Sequence, residues 1–261
     1  MAEPLRVGSS PKSRMEYVEA FEDGPGGWFA WINNFAGPKP LEFAKNLITA
    51  RSPWWIDYNH APPGAGYLHM LASLATRGPE VEAIKEAGGF NHFIAGGFPT
   101  DFTDATMTLR LKGELLIRDA QLVVMVQGMV EGICSGWLLT GQPLQVSEQW
   151  TQQTLTFPSD QAQWTALGAR HDRTDTYGVK PLEHVLCNVD VNIMLVMFPL
   201  NVVPMGSIDG DPHVLRAGHD YPVWQSKLPE GYIVVDEIRI RFAGGRTSEI
   251  RPEATQESVT L

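Results

Sequence analysis

The chain has 261 residues, 43% of them hydrophobic, and 30 acidic against 20 basic side chains give it a net charge of −10. That apolar content suffices for the core of one large domain, while the negative balance, with no basic run, argues against nucleic acid and anionic membranes as partners. Two cysteines are too few for a disulfide scaffold, and 25 glycines with 19 prolines point to many short elements joined by turns.

In chain order, residues 1–14 are polar and read as a flexible tail. They carry no apolar region of the secretory kind, so a cytoplasmic location is expected. No low-complexity linker or repeat divides residues 15–243, which are expected to form a single domain, and 244–261 read as a second tail. The segment "GPEVEAIKEAGG" (78–89) is the one that reads as a helix. Beyond it, alternation with period two dominates. In "ATMTLRLKG" (105–113), Met107, Leu109 and Leu111 share one side of a half-buried strand. "AQLVVMVQGMV" (120–130) is apolar on both sides apart from Gln121 and Gln127, the mark of a central strand. "SEQWTQQTLTF" (147–157) is rich in β-formers, and "NVDVNIMLVMF" (188–198) sets Val189, Val191, Ile193, Leu195 and Met197 on one face. "GYIVVDEIRIRF" (231–242) alternates again, with Tyr232, Val234, Asp236, Ile238, Ile240 and Phe242 expected inward.

Many short strands between Gly/Pro turns predict an all-β protein, an antiparallel sandwich or barrel. The long excursions 33–66, 158–187 and 199–230 are then expected as rim loops, and loops of that length in a compact domain usually carry function. Cys134 and Cys187 lie in apolar surroundings and read as buried, reduced thiols. The most apolar stretch, "VNIMLVMFPLNVVPM" (191–205), is interrupted by Asn and Pro and is too short to span a bilayer.

An opening "YVEAFEDGPGGW" (17–28), the midway "SEQWTQQTLTF" and a closing "GYIVVDEIRIRF" occur in an order that resembles the β-jelly rolls of carbohydrate-binding modules and related carbohydrate-active proteins, of the galactose-binding-like or concanavalin-like kind. The resemblance covers roughly residues 15–243. It implies a jelly-roll sandwich and a carbohydrate or glycoside-like ligand. It also implies a structural Ca2+ held between a last-strand and a first-strand carboxylate, here Asp236 with Glu22, or with Glu19 in the alternate register. The residues themselves say only that an inward-facing Asp236 must meet a cation or several donors. Backbone N–H groups or an arginine would serve as well. The loops at 33–66 and 158–187 are longer than a simple binding module needs.

The candidate site starts from "SPWWIDYNHAPPGAGYLHML" (52–71). Pro53, Pro62 and Pro63 disfavour helix and stiffen the segment. Trp54 and Trp55 suit stacking on a sugar ring, and Asp57, Asn59 and His60 suit its hydroxyls; the alternative is that the tryptophans plug one end of the sandwich. "LGARHDRTDTYG" (167–178) adds Arg170, His171, Asp172 and Arg173, and "LRAGHDYPVW" (215–224) adds Arg216, His219 and Asp220. If the three segments gather at one mouth, Tyr58, His60, His171 and Asp172 are the proton-transfer groups. Arg170, Arg173 and Arg216 would hold anionic or carbonyl groups, with His219 and Asp220 binding substrate. This chemistry favours elimination of the lyase type over glycoside hydrolysis, which needs a flanking carboxylate pair. A non-catalytic carbohydrate-binding protein and an assembly protein with a Trp-rich interface are the alternatives. The histidines lack the local spacing of a transition-metal site, no GxSxG or phosphate loop occurs, and no organic cofactor is expected.

Overall fold

The computed structural model describes residues 15–33, 37–57, 67–167, 175–200 and 227–244. The N-terminal half carries β1 (Glu16–Glu19), β2 (Trp28–Asn33), β3 (Gly37–Lys39), β4 (Glu42–Ala44), β5 (Leu47–Arg51), β6 (Trp55–Asp57) and β7 (Tyr67–Ala75). Two short helices follow, α1 (Glu82–Gly88) and α2 (His92–Ala95). Then come β8 (Thr106–Leu116), β9 (Gln121–Val130), β10 (Ile133–Leu138), β11 (Thr151–Thr156) and β12 (Thr165–Ala166). The helix α3 (Leu182–Leu186) precedes β13 (Asn192–Leu200) and β14 (Glu230–Arg241). The one helix predicted from sequence contains α1; α2 and α3 are additional and only about a turn long. Among the described residues no helix is long and apolar enough to cross a membrane.

These strands form two antiparallel sheets packed as a sandwich. The first runs β11-β8-β14-β5-β4, with β1 also on β14; the second runs β12-β10-β9-β13-β7-β2-β3, with β6 also on β7. Met107, Leu109 and Leu111 of β8 point into the core, as their alternation predicts. Opposite them stand Leu122, Val124 and Val126 of β9 and Ile193, Leu195 and Met197 of β13. The second sheet is buried on its other face as well, where Leu68, Val123, Met125, Leu138, Met194, Val196 and Phe198 make a separate apolar cluster. This explains why β9 and β13 read as nearly unbroken apolar runs, a pattern that needs two buried faces.

The stretch 33–66, expected as a rim loop, contains β3, β4, β5 and β6. These strands exploit a repeated device. Along one edge of β14, β5 pairs with Tyr232–Val235 and β1 pairs with Ile238–Arg241. Along one edge of β7, β6 pairs with Leu68–Met70 and β2 pairs with Ser73 and Leu74. Each long strand thus hands its edge from one short partner to another, and at each handover it carries an extra residue: Asp236 in β14, opposite β8, and Leu71 in β7, opposite β13. Such β-bulges bend a strand and increase its twist, which lets the two short partners diverge.

The bulge corrects the facing of β14. Ile233 and Val235 are the inward residues before it, and Ile238, Ile240 and Phe242 after it. Tyr232, Val234 and Asp236, predicted inward from unbroken alternation, lie instead on the outer side. The extra residue shifts the phase by one, and a simple period-two count cannot register it.

Candidate functional site

The chain crosses from the first sheet to the second between β5 and β6, within Ser52, Pro53 and Trp54. Ser52 is tied to β14 through its N–H, which donates to the Gly231 carbonyl at 2.9 Å, and its Oγ, which accepts from the Gly231 N–H at 3.1 Å. The Ser52–Pro53 peptide is cis. Trp54 lies between the sheets, only 6% exposed, and belongs to the main core. Trp55, one residue on, is already in β6, paired with Met70 and half-buried. The two adjacent tryptophans divide the two readings between them: Trp54 plugs the end of the sandwich, and Trp55 is left on the outer side of the second sheet.

At this point β2 peels away from β7. Trp28 and Phe29 still pair with β7, whereas Ala30 and Trp31 pair with Lys39 and Pro38 of β3. β6 takes over the vacated edge, and the fork between them holds a cavity of about 50 Å³. Ala30 and Trp31 line it from β2, Trp54 from the crossing, and Met70 and Leu71 from β7. Lys39 and Leu41, together with Glu42 and Arg51 at the edge of the first sheet, close it. By water-sized volume this is room for about three or four heavy atoms.

Three aromatic rings run along the fork. Phe29 and Trp31 have centroids 6.3 Å apart at 52°, and Trp31 and Trp55 6.4 Å apart at 50°. Among the described residues the indole Nε1 atoms of Trp31 and Trp54 find no hydrogen-bond partner, and both are closed off from solvent. A buried donor left unpaired costs about 1–3 kcal/mol. Arg51 is held at the rim by Glu42, 3.3 Å from its Nε, and by the Tyr232 ring, 4.6 Å beneath its guanidinium. Lys39 has no ion pair among the described residues.

Behind the fork, the His69 ring lies 5.7 Å from that of Trp54. Its Nδ1–H donates to the Trp55 carbonyl at 3.3 Å, which fixes the neutral tautomer, and its Nε2 is buried without a partner. Burial pulls its pKa down to about 4, against a smaller upward effect of the Trp55 carbonyl. His69 is thus a neutral core imidazole that holds the start of β6 in place.

The structure brings Trp54 and Trp55 together with Trp31, Lys39, Arg51 and His69, none of which the sequence reading had chosen. Asp57 ends β6 opposite Leu68, and only its backbone is described. Tyr58, Asn59, His60, Arg170, His171, Asp172, Arg173, Arg216, His219 and Asp220 lie outside the described residues, so their convergence is neither shown nor opposed.

The two carboxylates assigned to calcium have different surroundings. Glu22 is exposed in the loop after β1. Asp236, with its side chain 17% exposed, is bonded to the guanidinium of Arg110, which also stacks on Trp150 at 4.8 Å. The buried first-strand carboxylate is Glu19, 2% exposed. It pairs with Ile238 on the inner face, opposite in sense to Asp236, and three donors satisfy it: Tyr17 Oη at 3.2 Å, the Phe21 N–H at 2.9 Å and His92 Nδ1 at 2.8 Å. Burial, and then the Glu19 charge, push the Tyr17 phenol well above its ordinary pKa. Among the described residues no three His, Cys, Asp or Glu side chains are grouped to hold a metal ion.

The fork therefore presents the half-buried rings of Trp31 and Trp55, with the Lys39 and Arg51 cations beside them. A scan against protein-family models finds no match, and a search of curated proteins finds none of significance.

Proposed function

We propose that this protein recognises carbohydrate at the fork between β2 and β6. The observation that carries the reading is the pair of half-buried Trp31 and Trp55 rings, 6.4 Å apart on the outer side of the second sheet and backed by the buried Phe29. Indole faces attract the C–H faces of a pyranose, and ring hydroxyls supply acceptors for N–H groups. Ligand-observed NMR against a panel of neutral and acidic methyl glycosides and plant and microbial oligosaccharides tests it. Trp55→Ala should abolish the transfer signal of whichever glycan binds while thermal stability stays close to wild type. No binding across the panel, or binding unchanged in Trp55→Ala and Trp31→Ala, would overturn it.

The enzyme reading adds elimination chemistry to the same site. It is favoured by one feature of the chain: Tyr58, Asn59 and His60 follow Asp57 directly in sequence, so His60 is at most about 18 Å along the backbone from Trp55. Tyr58, His60, His171 and Asp172 would then move protons. Arg170, Arg173, Arg216, His219 and Asp220 would grip substrate. His60→Ala and His171→Ala should abolish product formation and keep glycan affinity within several-fold. Loss of affinity without any turnover in the wild type leaves recognition alone.

A further inference from the structure

Away from the fork, β1 and α2 bring together a titratable pair to which carbohydrate recognition assigns no role. Glu19 is 2% exposed, and His92 Nδ1 lies 2.8 Å from its Oε2. A buried carboxylate is costly unless donors surround it, and three local features serve that end. Tyr17 donates its O–H at 3.2 Å. Phe21, held at a φ of 55°, donates its N–H at 2.9 Å. Gly26 leaves room beside Oε2, where a Cβ would stand at 2.0 Å. With Glu19 ionised and accepting from Tyr17, Phe21 and His92, the imidazole proton sits on Nδ1 and the lone pair on Nε2.

The two partners differ in access. The His92 side chain is 33% exposed. Its Nδ1 faces the buried carboxylate, so Nε2 lies on the edge of the ring away from Glu19, and nothing among the described residues bonds it. Beside it the Phe90 ring, 71% exposed, meets the imidazole edge to face with centroids 5.4 Å apart. An apolar residue at position 19 would fill the same space without a buried charge. What the carboxylate adds is a fixed tautomer, a fixed ring orientation and a counter-charge for an imidazolium.

We propose that His92 is a general base for the hydrolysis of small neutral esters, with Glu19 as its positioning residue. Nε2 takes a proton from a water as the water oxygen bonds to the acyl carbon. The ester C–O bond then breaks, and the imidazolium returns the proton to the departing alkoxide, giving acid and alcohol. Glu19 stays a carboxylate throughout. The surroundings select a neutral ester with an apolar group. The described neighbours of the imidazole, Glu19, Gly26 and Phe90, include no cation to hold an anion. Glu22 and Asp23 are exposed in the adjoining loop, and the net charge is −10. Phe90 supplies the surface for an aromatic or alkyl group. The site shares no residue with the fork and stands whether or not the protein binds carbohydrate.

The probe is p-nitrophenyl acetate, with the full chain compared against free imidazole at equal concentration. The chain should hydrolyse it about tenfold faster or more, and His92→Gln should remove that excess. Glu19→Gln should lower kcat about tenfold, the loss of a charge-assisted hydrogen bond to the imidazolium, and leave KM within about twofold. Phe90→Ala should act on KM and raise it several-fold. Thermal melts check the fold of each variant. If Glu19→Gln fails to fold, labelling of the wild type by diethyl pyrocarbonate decides: His92, although only a third exposed, should be acylated at least as fast as His184, which is exposed on α3. No excess over imidazole, an excess that survives His92→Gln, or slower labelling of His92 than of His184 would overturn the proposal. A Glu19→Gln variant that loses stability yet keeps kcat would reduce the pair to a structural latch and overturn it as well. An unchanged KM in Phe90→Ala would overturn the assignment of an apolar substrate.

Discussion

Acidification should weaken this fold through His69. The side chain is 2% exposed and its pKa lies at about 4, against 6.5 for an unhindered imidazole. Because the folded-state value is the lower one, the unfolded chain takes up the proton first as the pH falls. The contribution of the neutral ring is therefore complete above about pH 6.5 and is lost progressively towards about pH 4. Each unit of difference corresponds to 1.36 kcal/mol, so the whole effect is about 3 kcal/mol, of which about 2 kcal/mol falls between pH 7 and pH 5. Urea unfolding across that range, on the wild type and on His69→Asn, isolates it. The asparagine amide keeps a donor for the Trp55 carbonyl and does not titrate. Burial raises the Asp236 carboxyl, which favours the fold on acidification; this contribution is common to both proteins and cancels in the difference. Wild type should lose about 2 kcal/mol more than His69→Asn on going from pH 7 to pH 5. Parallel profiles would show that the ring protonates as readily in the folded state as outside it, and the burial argument would fail.

The adjacent tryptophans should separate sharply: Trp54→Ala should cost about 3–5 kcal/mol in denaturant unfolding, the price of a large core truncation, and Trp55→Ala less than about 1.5 kcal/mol. Gly26→Ala should lower the melting temperature by several degrees, because the new Cβ would stand 2.0 Å from Glu19 Oε2 at a residue with φ of +62°. Combining it with Glu19→Ala should be clearly less than additive, since that change removes the obstructing carboxylate. Millimolar Ca2+ or a chelator should move the melting temperature by less than about 1 °C, as Asp236 already has Arg110. A stabilisation that grows with the logarithm of Ca2+ concentration would support the calcium expectation instead.

The long strands were legible because they are long. β8, with eleven residues, and β14, with twelve, give alternation enough turns to be unmistakable. β3 and β4 have three residues each, and all three of β4 are exposed, so no periodicity exists to read. Their place is fixed by pairing with strands elsewhere in the chain, which local pattern does not encode. The phase error at Asp236 has the same origin: a bulge is visible only against the partner strand, here where Val235 faces Leu111 and Glu237 faces Arg110. In the site, "SPWW" announced aromatic surface but not its division, which follows from a sheet crossing at Trp54. Trp31 carried a usable signal, since Phe29 and Trp31 alternate within "WFAWIN". His69 did not, because a lone histidine in an apolar run reads as core, which it is.

The paired handovers divide the sandwich into two ends supplied by different parts of the chain. β1 and β2, consecutive in sequence, close one end around Glu19 and His92. β3 to β6, residues 37–57, close the other and carry most of the fork. The long strands are common ground, and each short segment meets them on its own side of a bulge. Segment 37–57 is not independent of the opposite end, because β2 belongs to both: it pairs with β7 through Trp28 and Phe29, and with β3 through Ala30 and Trp31, which also line the fork. A change in the length or register of β2 would therefore be felt at both ends of the sandwich at once.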